Sequence, residues 1–257
     1  MISKMFKGMA VVCVLLASTA ALALDQIPEY RDPLAELTID SEGNNYQFEH
    51  SSLRALKIHD PIEGFNRRMY RFNGQFDRYV YLPAVNAYVK VTPKFVRSGV
   101  SNVFANLADV PNLANSLAQG KMQKSGRTTA RLLLNTTIGV LGIFDVAKAF
   151  GLPQEPEDFG QTLGYYGVPE GPYLVLPLLG PSTLRDTTGR AVDWSIEDAA
   201  AFLDNRSYMN DNPWTYGLYA LDLRYINGFR YGSLDSPFEY DQVRYLYIKL
   251  RELQIKR

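Results

Sequence analysis

Few residues of this chain have the type and spacing that covalent chemistry requires. Its two histidines, His50 and His59, do not form a metal-ligand pattern such as His-Glu-x-x-His. Ser182 lies in Gly-Pro-Ser-Thr, which differs from the Gly-x-Ser-x-Gly turn of serine hydrolases. The Asp-Phe-Gly triplet at 158–160 imitates the magnesium motif of kinases, but neither a catalytic loop nor a glycine-rich phosphate loop accompanies it. We therefore expect no enzyme activity and neither a resident metal nor a cofactor.

Two charged clusters offer binding chemistry instead. Three acidic residues could hold a cation, although a solvated loop accounts for them better: Glu155, Glu157 and Asp158. Four basic residues, spaced three and four apart, partly share one helix face: Lys121, Lys124, Arg127 and Arg131. Such a face could meet anionic lipid headgroups, and a solvated helix surface explains the spacing equally well.

The best-marked element is a helix over residues 60–73. Asp60 suits the N-cap, Pro61 the first helical position and Glu63 the third. Apolar residues recur at helical spacing and predict a face turned to the core: Phe65, Met69, Phe72 and Phe76. The polar residues between them are suited to hold backbone or neighbouring helices: Asn66, Arg67 and Asn73.

A second stretch, from Leu132 to Phe150, is apolar on nearly all sides. Small and polar residues interrupt it: Asn135, Thr136, Thr137, Gly139, Gly142 and Asp145. A helix that enters one membrane leaflet beside a polar-lined passage would need this mixture, since lipid tails require apolar surface and headgroups require hydrogen-bonding partners. The alternative is a buried helical hairpin bent at Gly139 and Gly142, and the residues alone favour it.

Helical spacing predominates in the rest of the chain, so we expect a mainly α fold. The pattern predicts separate helices over 93–107 and 111–120, because Pro111 shortly after Asp109 is typical of a helix start. A short helix is predicted over 141–150. Between residues 152 and 185 glycines and prolines alternate, which predicts a structured loop region with room for a short hairpin around 173–179.

Residues 1–23 have the features of an export signal, because Lys4 and Lys7 precede an apolar run that ends in an Ala-Leu-Ala cleavage pattern. Residues 24–59 are expected to form an extended lead-in, and 60–257 one helical domain. After the signal, 25 of the 27 basic residues remain against 27 acidic ones, so we expect no nucleic-acid partner. No later segment reads as a membrane span.

Four ordered blocks resemble the signatures of the MlaA (VacJ) family of outer-membrane proteins. The first is 60–73, and the second joins Asn-Thr-Thr-Ile-Gly at 135–139 to Gly-Ile-Phe-Asp-Val-Ala at 142–147. The third is Asp-Phe-Gly-Gln-Thr-Leu-Gly at 158–164 with Tyr-Gly-Val at 166–168, and the fourth lies within 171–186. Four blocks in the family's order are far more specific than any single short motif.

The resemblance implies a ring-like helical assembly that lies in the inner leaflet of the outer membrane around an amphipathic channel. Such proteins remove mislocalised phospholipids from the outer leaflet and pass them to a soluble periplasmic lipid carrier, which maintains lipid asymmetry. They commonly associate with a trimeric porin of the outer membrane. Two alternatives stay open: an envelope scaffold that binds porins without moving lipid, and a membrane-associated hydrolase that uses an unrecognised acidic pair.

The resemblance also suggests roles for two groups of residues. A scaffold motif ties the ring together: Asp60, Glu63, Asn66, Arg67, Phe72 and Asn73. Two segments border the lipid passage, residues 135–145 and residues 164–177, the second as a gate hinged on its glycines. Their candidate lipid-passage residues are Asn135, Thr136, Thr137, Gly139, Gly142, Asp145, Gly164, Tyr166, Gly167 and Tyr173.

Members of the family are typically lipoproteins, whose modified cysteine follows a short lipobox. Cys13 is the only cysteine of this sequence, and it lies too early in the apolar run to be such a site. We therefore expect an exported protein at the periplasmic face of the outer membrane, without a lipid anchor.

Overall fold

The computed structural model describes residues 56, 58–199, 212, 214–234 and 236–257. The predicted export signal, Cys13 and all but three residues of the predicted lead-in lie outside the described residues. The described elements are α1 (Glu63–Phe76), a π-helical turn (Asp77–Tyr81), α2 (Leu82–Val91), α3 (Lys94–Ala118), α4 (Met122–Thr137), α5 (Val146–Ala149), α6 (Phe159–Tyr165), β1 (Tyr173–Leu176), β2 (Gly180–Thr183), α7 (Leu184–Ala199), α8 (Trp214–Ile226) and α9 (Glu239–Lys256). The expected mainly α fold is confirmed.

Helix α1 begins later than the sequence predicts. Ile62 occupies its N-cap position, so Asp60 does not cap the helix. The Asp60 carboxylate instead accepts hydrogen bonds from the backbone N–H of Ile62 at 3.2 Å and from Asn66 Nδ2 at 2.9 Å. It also forms an ion pair with Arg244 of α9 at 3.3 Å. The predicted capping role is wrong because tertiary contacts use this carboxylate.

Helix α3 runs without a break from Lys94 to Ala118, so the prediction of two separate helices around Pro111 is wrong. A proline inside a helix removes one backbone hydrogen bond and usually kinks or ends it. Here buried contacts hold the chain on both sides of the proline. Asp109 forms an ion pair with Arg131 of α4 at 2.9 Å, and Asn112 Oδ1 accepts the backbone N–H of Glu157 at 3.0 Å.

The helix predicted over 141–150 is also wrong, because only α5 is helical and residues 138–144 form a tight loop. Val140 and Leu141 have φ angles of 53° and 56°, a left-handed conformation that L residues rarely adopt, and Gly142 follows at 87°. This reversal prevents a continuous helix. Asp145 then caps α5 by accepting the backbone N–H of Lys148 at 3.1 Å.

The glycine- and proline-rich region contains a hairpin and one helix, α6. Strands β1 and β2 are antiparallel, with Tyr173 opposite Thr183 and Leu176 opposite Gly180. The predicted short hairpin is therefore present and extends beyond the predicted end. Tyr173 and Val175 of β1 lie in a small apolar core, to which α1 contributes Tyr70 and α9 contributes Tyr240, Val243 and Ile248.

Burial in this fold favours polar over apolar residues. Among the described residues, most buried side chains are polar or charged, whereas large apolar side chains are exposed on several helices. Phe95 of α3 is 78% exposed and Leu253 of α9 is 68% exposed. An ordinary water-exposed domain buries mainly aliphatic and aromatic residues. Within these residues, no helix combines the length and hydrophobicity needed to cross a membrane.

Arg251 of α9 joins two distant segments of the chain. Its guanidinium donates to Asp158, the N-cap of α6, at 2.7 and 2.8 Å, and to Asp186 of α7 at 2.9 and 3.0 Å. Burial alone would raise the pKa of both aspartates, but the hydrogen bonds and charge of Arg251 hold each pKa below its ordinary value. One buried cation therefore fixes α6 and α7 against α9.

Replacing Arg251→Met should lower the free energy of unfolding by about 3–5 kcal/mol, because the buried carboxylate of Asp186 and the partly exposed carboxylate of Asp158 lose their cation. Denaturant unfolding in detergent measures the loss. The contribution of this pairing is complete above the ordinary aspartate pKa of 3.8 and is lost as the pH falls through the lowered pKa values. The difference between the variant and the wild type should therefore narrow in acid.

A matched control is Lys249→Met on the same helix. Lys249 and its partner Glu252 are both solvent-exposed, so this variant should unfold like the wild type. Wild-type stability of Arg251→Met would show that the pairing does not hold these helices together.

Candidate functional site

The polar face of α1 holds the β-hairpin. Asn66, which is 0% exposed, donates from Nδ2 to the carbonyl of Tyr173 at 2.9 Å and accepts the N–H of Val175 at 2.8 Å. Asn73 lies two helical turns further along α1 and binds the end of β1 in the same way. It donates to the carbonyl of Leu176 at 2.9 Å and accepts the N–H of Leu178 at 2.8 Å. Two side-chain amides thus take the place of a neighbouring strand.

The predicted apolar core face of α1 is wrong for most of its length, because Asn66, Tyr70 and Asn73 are the buried residues of this helix. Phe65 is 50% exposed, Phe72 and Phe76 are partly buried, and only Met69 packs against the small apolar core. The rings of Phe72 and Phe76 lie 6.1 Å apart. The helical period was predicted correctly, but the side of the helix that faces the interior was not.

The remaining scaffold residues contact α9. Arg67 pairs with Asp241 at 2.9 Å and with Glu63 at 2.6 Å. Asp60 accepts a short hydrogen bond from the hydroxyl of Tyr240. The structure therefore brings the predicted scaffold residues together at one junction of α1, β1 and α9, apart from Phe72, which packs on the outer face. Their role as the tie of a larger ring stays a prediction.

Residues 135–145 split into an inner and an outer set. Asn135 is buried, donates to Asp145 Oδ1 at 3.1 Å and accepts the N–H of Ala147 at 2.9 Å. Thr136 and Thr137 are exposed, and Thr136 Oγ1 accepts from Asn106 Nδ2 at 3.3 Å. The polar residues of this segment thus either fix the loop or lie at its surface.

The two glycines of the loop lie where a side chain would not fit. A Cβ at Gly139 would stand 2.3 Å from the carbonyl oxygen of Phe144, and a Cβ at Gly142 would stand 2.7 Å from Asn106 Cβ. The loop is therefore pressed against its own backbone and against α3. Its large apolar side chains are exposed: Ile138, Val140, Leu141, Ile143 and Phe144.

An apolar groove of about 1070 Å³ lies beside this loop. Its walls come mostly from the first half of α3, with Ile143 and Phe144 from the loop and Leu218 from α8. Gly99 of α3 faces the loop, and a Cβ at this position would lie 3.4 Å from Ile143 Cγ2, an ordinary van der Waals contact. The lining residues are Lys94, Phe95, Val96, Ser98, Gly99, Val100, Asn102, Val103, Phe104, Ile143, Phe144 and Leu218.

The second predicted segment, residues 164–177, has different neighbours. Tyr173 is buried in the small core, and Gly164 packs against Ile255, whose Cδ1 would lie 2.5 Å from an added Cβ. The Tyr166 hydroxyl donates to the carbonyl of Ala118 at 2.6 Å, and Gly167 has a φ of 82°. Among the described contacts, no hydrogen bond joins this segment to residues 135–145, and its gating role stays a prediction.

Both charged clusters have internal partners. Lys121 and Lys124 pair with Glu157 at 2.9 and 2.6 Å, and Arg127 pairs with Glu155 at 2.9 Å. Burial alone would raise the pKa of Glu157, but its hydrogen bonds to the two lysines lower it. These charges neutralise one another, so neither an anionic-headgroup face nor a cation site is needed to explain them.

The polar row of α3 and the groove were not predicted from the sequence. Buried polar residues recur mostly three residues apart along α3 and at its C-cap: Asp109, Asn112, Asn115, Ser116 and Gln119. Through this row α3 contacts α4, α6 and α7. That spacing was a usable signal for a buried polar face. The groove had none, because it depends on the loop folding back on α3.

These features define a class of protein: mainly helical, with a hydrogen-bonded polar interior, an exposed apolar surface and an apolar groove beside a strained loop. Exposed apolar surface of this extent is typical of proteins that contact lipid or other partners. Residues 58–254 match the family model described as MlaA lipoprotein. The chain therefore belongs to the MlaA family, as the ordered blocks predicted.

Two relatives illustrate the similarity. An uncharacterized protein of Rickettsia felis is 36% identical over 154 residues, which is 60% of this chain and 61% of the relative. The intermembrane phospholipid transport system lipoprotein MlaA of Escherichia coli K12 is 41% identical over 139 residues, 52% of this chain and 55% of the relative. These matches span less than two thirds of the relatives' length.

A solved structure is also similar, at a TM-score of 0.61 and 31% sequence identity. The match covers 77% of this chain and 100% of that chain. That structure comes from work on the structural basis for maintenance of bacterial outer membrane lipid asymmetry. The predicted helical fold is thus supported by an independent structure.

Replacing Asn66→Ala should lower the free energy of unfolding by about 2–4 kcal/mol, because the carbonyl of Tyr173 and the N–H of Val175 lose their partner in a buried site. Thermal or denaturant unfolding in detergent measures the loss.

The adjacent variant Phe65→Ala is the matched control. Because Phe65 is 50% exposed, its truncation should lower the free energy of unfolding by about 1 kcal/mol, less than the loss in Asn66→Ala. A large stability loss in Phe65→Ala, with none in Asn66→Ala, would contradict the conclusion that the polar face of α1 is the one turned to the interior.

Proposed function

We propose that this protein moves phospholipids between membranes: it removes mislocalised phospholipids from the outer leaflet of the outer membrane and passes them to a soluble periplasmic carrier. The observation that supports this most is the apolar groove opening beside an exposed apolar loop. Membership in the MlaA family supports it as well, since the Escherichia coli relative is named as part of an intermembrane phospholipid transport system.

A phospholipid places two opposing requirements on the groove, one from its acyl chains and one from its headgroup. An acyl chain in the groove stays out of water, and each buried methylene contributes about 0.8 kcal/mol. A headgroup needs hydrogen-bonding partners, because a polar group without them costs several kcal/mol in an apolar medium. Exposed polar groups at the edge of the loop, such as Thr136 and Thr137, would offer such partners. No covalent chemistry is required.

The loop at 138–144 is suited to control entry to the groove. Its Val140 and Leu141 occupy a left-handed conformation that costs about 1–3 kcal/mol for each residue. Ile143 and Phe144 belong to both the loop and the groove wall. A movement that relieved the strain would therefore also change the groove. The hinge that the sequence predicts at Gly164 and Gly167 is a separate proposal.

The proposal also includes the membrane position of the protein and its neighbour there. The exposed apolar surface would lie in the inner leaflet of the outer membrane, with the helices forming a ring around the passage and a trimeric porin as neighbour. The Escherichia coli relative is named a lipoprotein, which disagrees with the expectation that no lipid anchor is present. That expectation concerns residues outside the described ones.

A reversible cross-link tests the loop. Gly99→Cys and Ile143→Cys place two thiols close together, since the Cβ position of residue 99 lies 3.4 Å from Ile143 Cγ2. Oxidation should abolish transfer of fluorescent phospholipid from vesicles to an acceptor, and reduction should restore it. Each single-cysteine variant serves as a control. Full transfer by the cross-linked protein would show that transfer does not require the loop to move away from α3.

Outer-leaflet phospholipid in cells lacking the gene tests the function itself. It should accumulate and return to normal when a plasmid supplies the wild-type protein, but not when the plasmid supplies Phe144→Asp, which puts a charge in the groove wall. No accumulation in an otherwise intact envelope would favour the porin-binding scaffold. Release of lysolipid or fatty acid by the purified protein would favour the hydrolase.

A further inference from the structure

The seam between α3 and α8 contains a buried carboxylate with few partners. Asp222 of α8 is 1% exposed and accepts one hydrogen bond, from Ser101 Oγ of α3 at 2.5 Å. Among the described residues no cation pairs with it. An ionised carboxylate in such a place is costly, because burial removes water without supplying an opposite charge.

Other buried carboxylates of the described residues have more support. Asp77, Asp109 and Asp186 each pair with an arginine, and Glu239 accepts two hydrogen bonds. Asp222 accepts only one hydrogen bond among the described contacts, from the Ser101 hydroxyl. The fold therefore tolerates a poorly neutralised acid at this seam although it neutralises comparable acids elsewhere.

The groups that face Asp222 do not neutralise it either. From α2 comes the Tyr88 hydroxyl, which is buried without a hydrogen-bond partner, and burial and the charge of Asp222 both raise the pKa of this tyrosine. Arg97 of α3 lies near Tyr88 and stacks 5.0 Å over the ring of Tyr225, and its Nε has no hydrogen-bond partner. Among the described contacts, Arg97 forms no ion pair with Asp222.

The seam is also a wall of the groove. The first half of α3 forms most of the lining, and Leu218 lies one helical turn before Asp222 on α8. Any separation of α8 from α3 would therefore change the groove.

We propose that Asp222 and Ser101 form a proton-sensitive latch that closes the α3–α8 seam when the carboxyl is protonated and loosens it when the carboxyl is ionised. Loosening the seam widens the groove. The consequence for lipid entry rests on the proposed function, whereas the latch itself does not.

The direction of the pH dependence follows from burial. Burial raises the pKa of Asp222, and the Ser101 hydrogen bond offsets part of this rise. Because the closed seam then binds the proton more tightly than the open one, its stability is highest in acid and falls as the pH rises through the raised pKa.

Amide hydrogen exchange of the full chain in detergent micelles, corrected for intrinsic rates and followed from about pH 4 to 8, tests the latch. Opening of residues 214–226 should increase with pH, by up to about tenfold for each pH unit while Asp222 ionises. In Asp222→Asn this dependence should vanish. In Ser101→Ala the increase in opening should occur at higher pH, because the ionised carboxylate of Asp222 loses the hydrogen bond that Ser101 donates.

The matched control is Glu252→Gln, which neutralises an exposed carboxylate on α9 and should keep the wild-type profile. A flat profile in the wild type, or an unchanged dependence in Asp222→Asn, would overturn the latch.

Binding of a fluorescent phospholipid to the same samples separates the two proposals. Exchange that follows the pH without any lipid binding would support the latch and contradict the proposed function. Lipid binding together with hydrogen exchange that does not depend on pH would support the proposed function and contradict the latch.

Discussion

A protein that buries polar side chains and exposes aliphatic and aromatic ones must find hydrogen-bond partners for most polar groups of its interior, because a buried polar group without a partner is costly. In this chain the requirement is met largely by side chains. Asn66 and Asn73 complete the hydrogen bonds of the β-hairpin, and Arg251 neutralises two aspartates from different segments. The helices are therefore positioned by specific polar contacts, while the small apolar core contributes only where β1 meets α1 and α9.

This requirement also explains the irregular backbone. Pro111 is accepted inside α3 because its neighbours bind α4 and the segment before α6. The left-handed conformation of Val140 and Leu141 is held by Asn135, whose side chain fixes Asp145 and Ala147. Tightly satisfied polar groups around a strained turn store free energy at one place, and that place forms a wall of the groove.

The groove is bordered by the strained loop and by the α3–α8 seam, where the buried carboxylate of Asp222 accepts a single hydrogen bond. Several other buried acids of the described residues meet arginine or lysine, as Glu157 meets two lysines. Regions with low local stability are the ones that open first. A lipid-binding groove requires walls that can separate, so the uneven distribution of polar contacts fits a protein whose interior is fixed and whose groove can change shape.

The sequence by itself determined the family, the mainly α fold, the hairpin region and most helical periods, because ordered motifs and local periodicity are written along the chain. It could not determine which side of a helix faces inward. The stripe from Phe65 to Phe76 has the spacing of a core face, and only its packing shows that Asn66 and Asn73 are buried instead. The tertiary structure also decided the continuity of α3, the loop at 138–144 and the groove. Each depends on contacts between residues far apart in sequence, whose free energy exceeds the local preferences that a sequence pattern records.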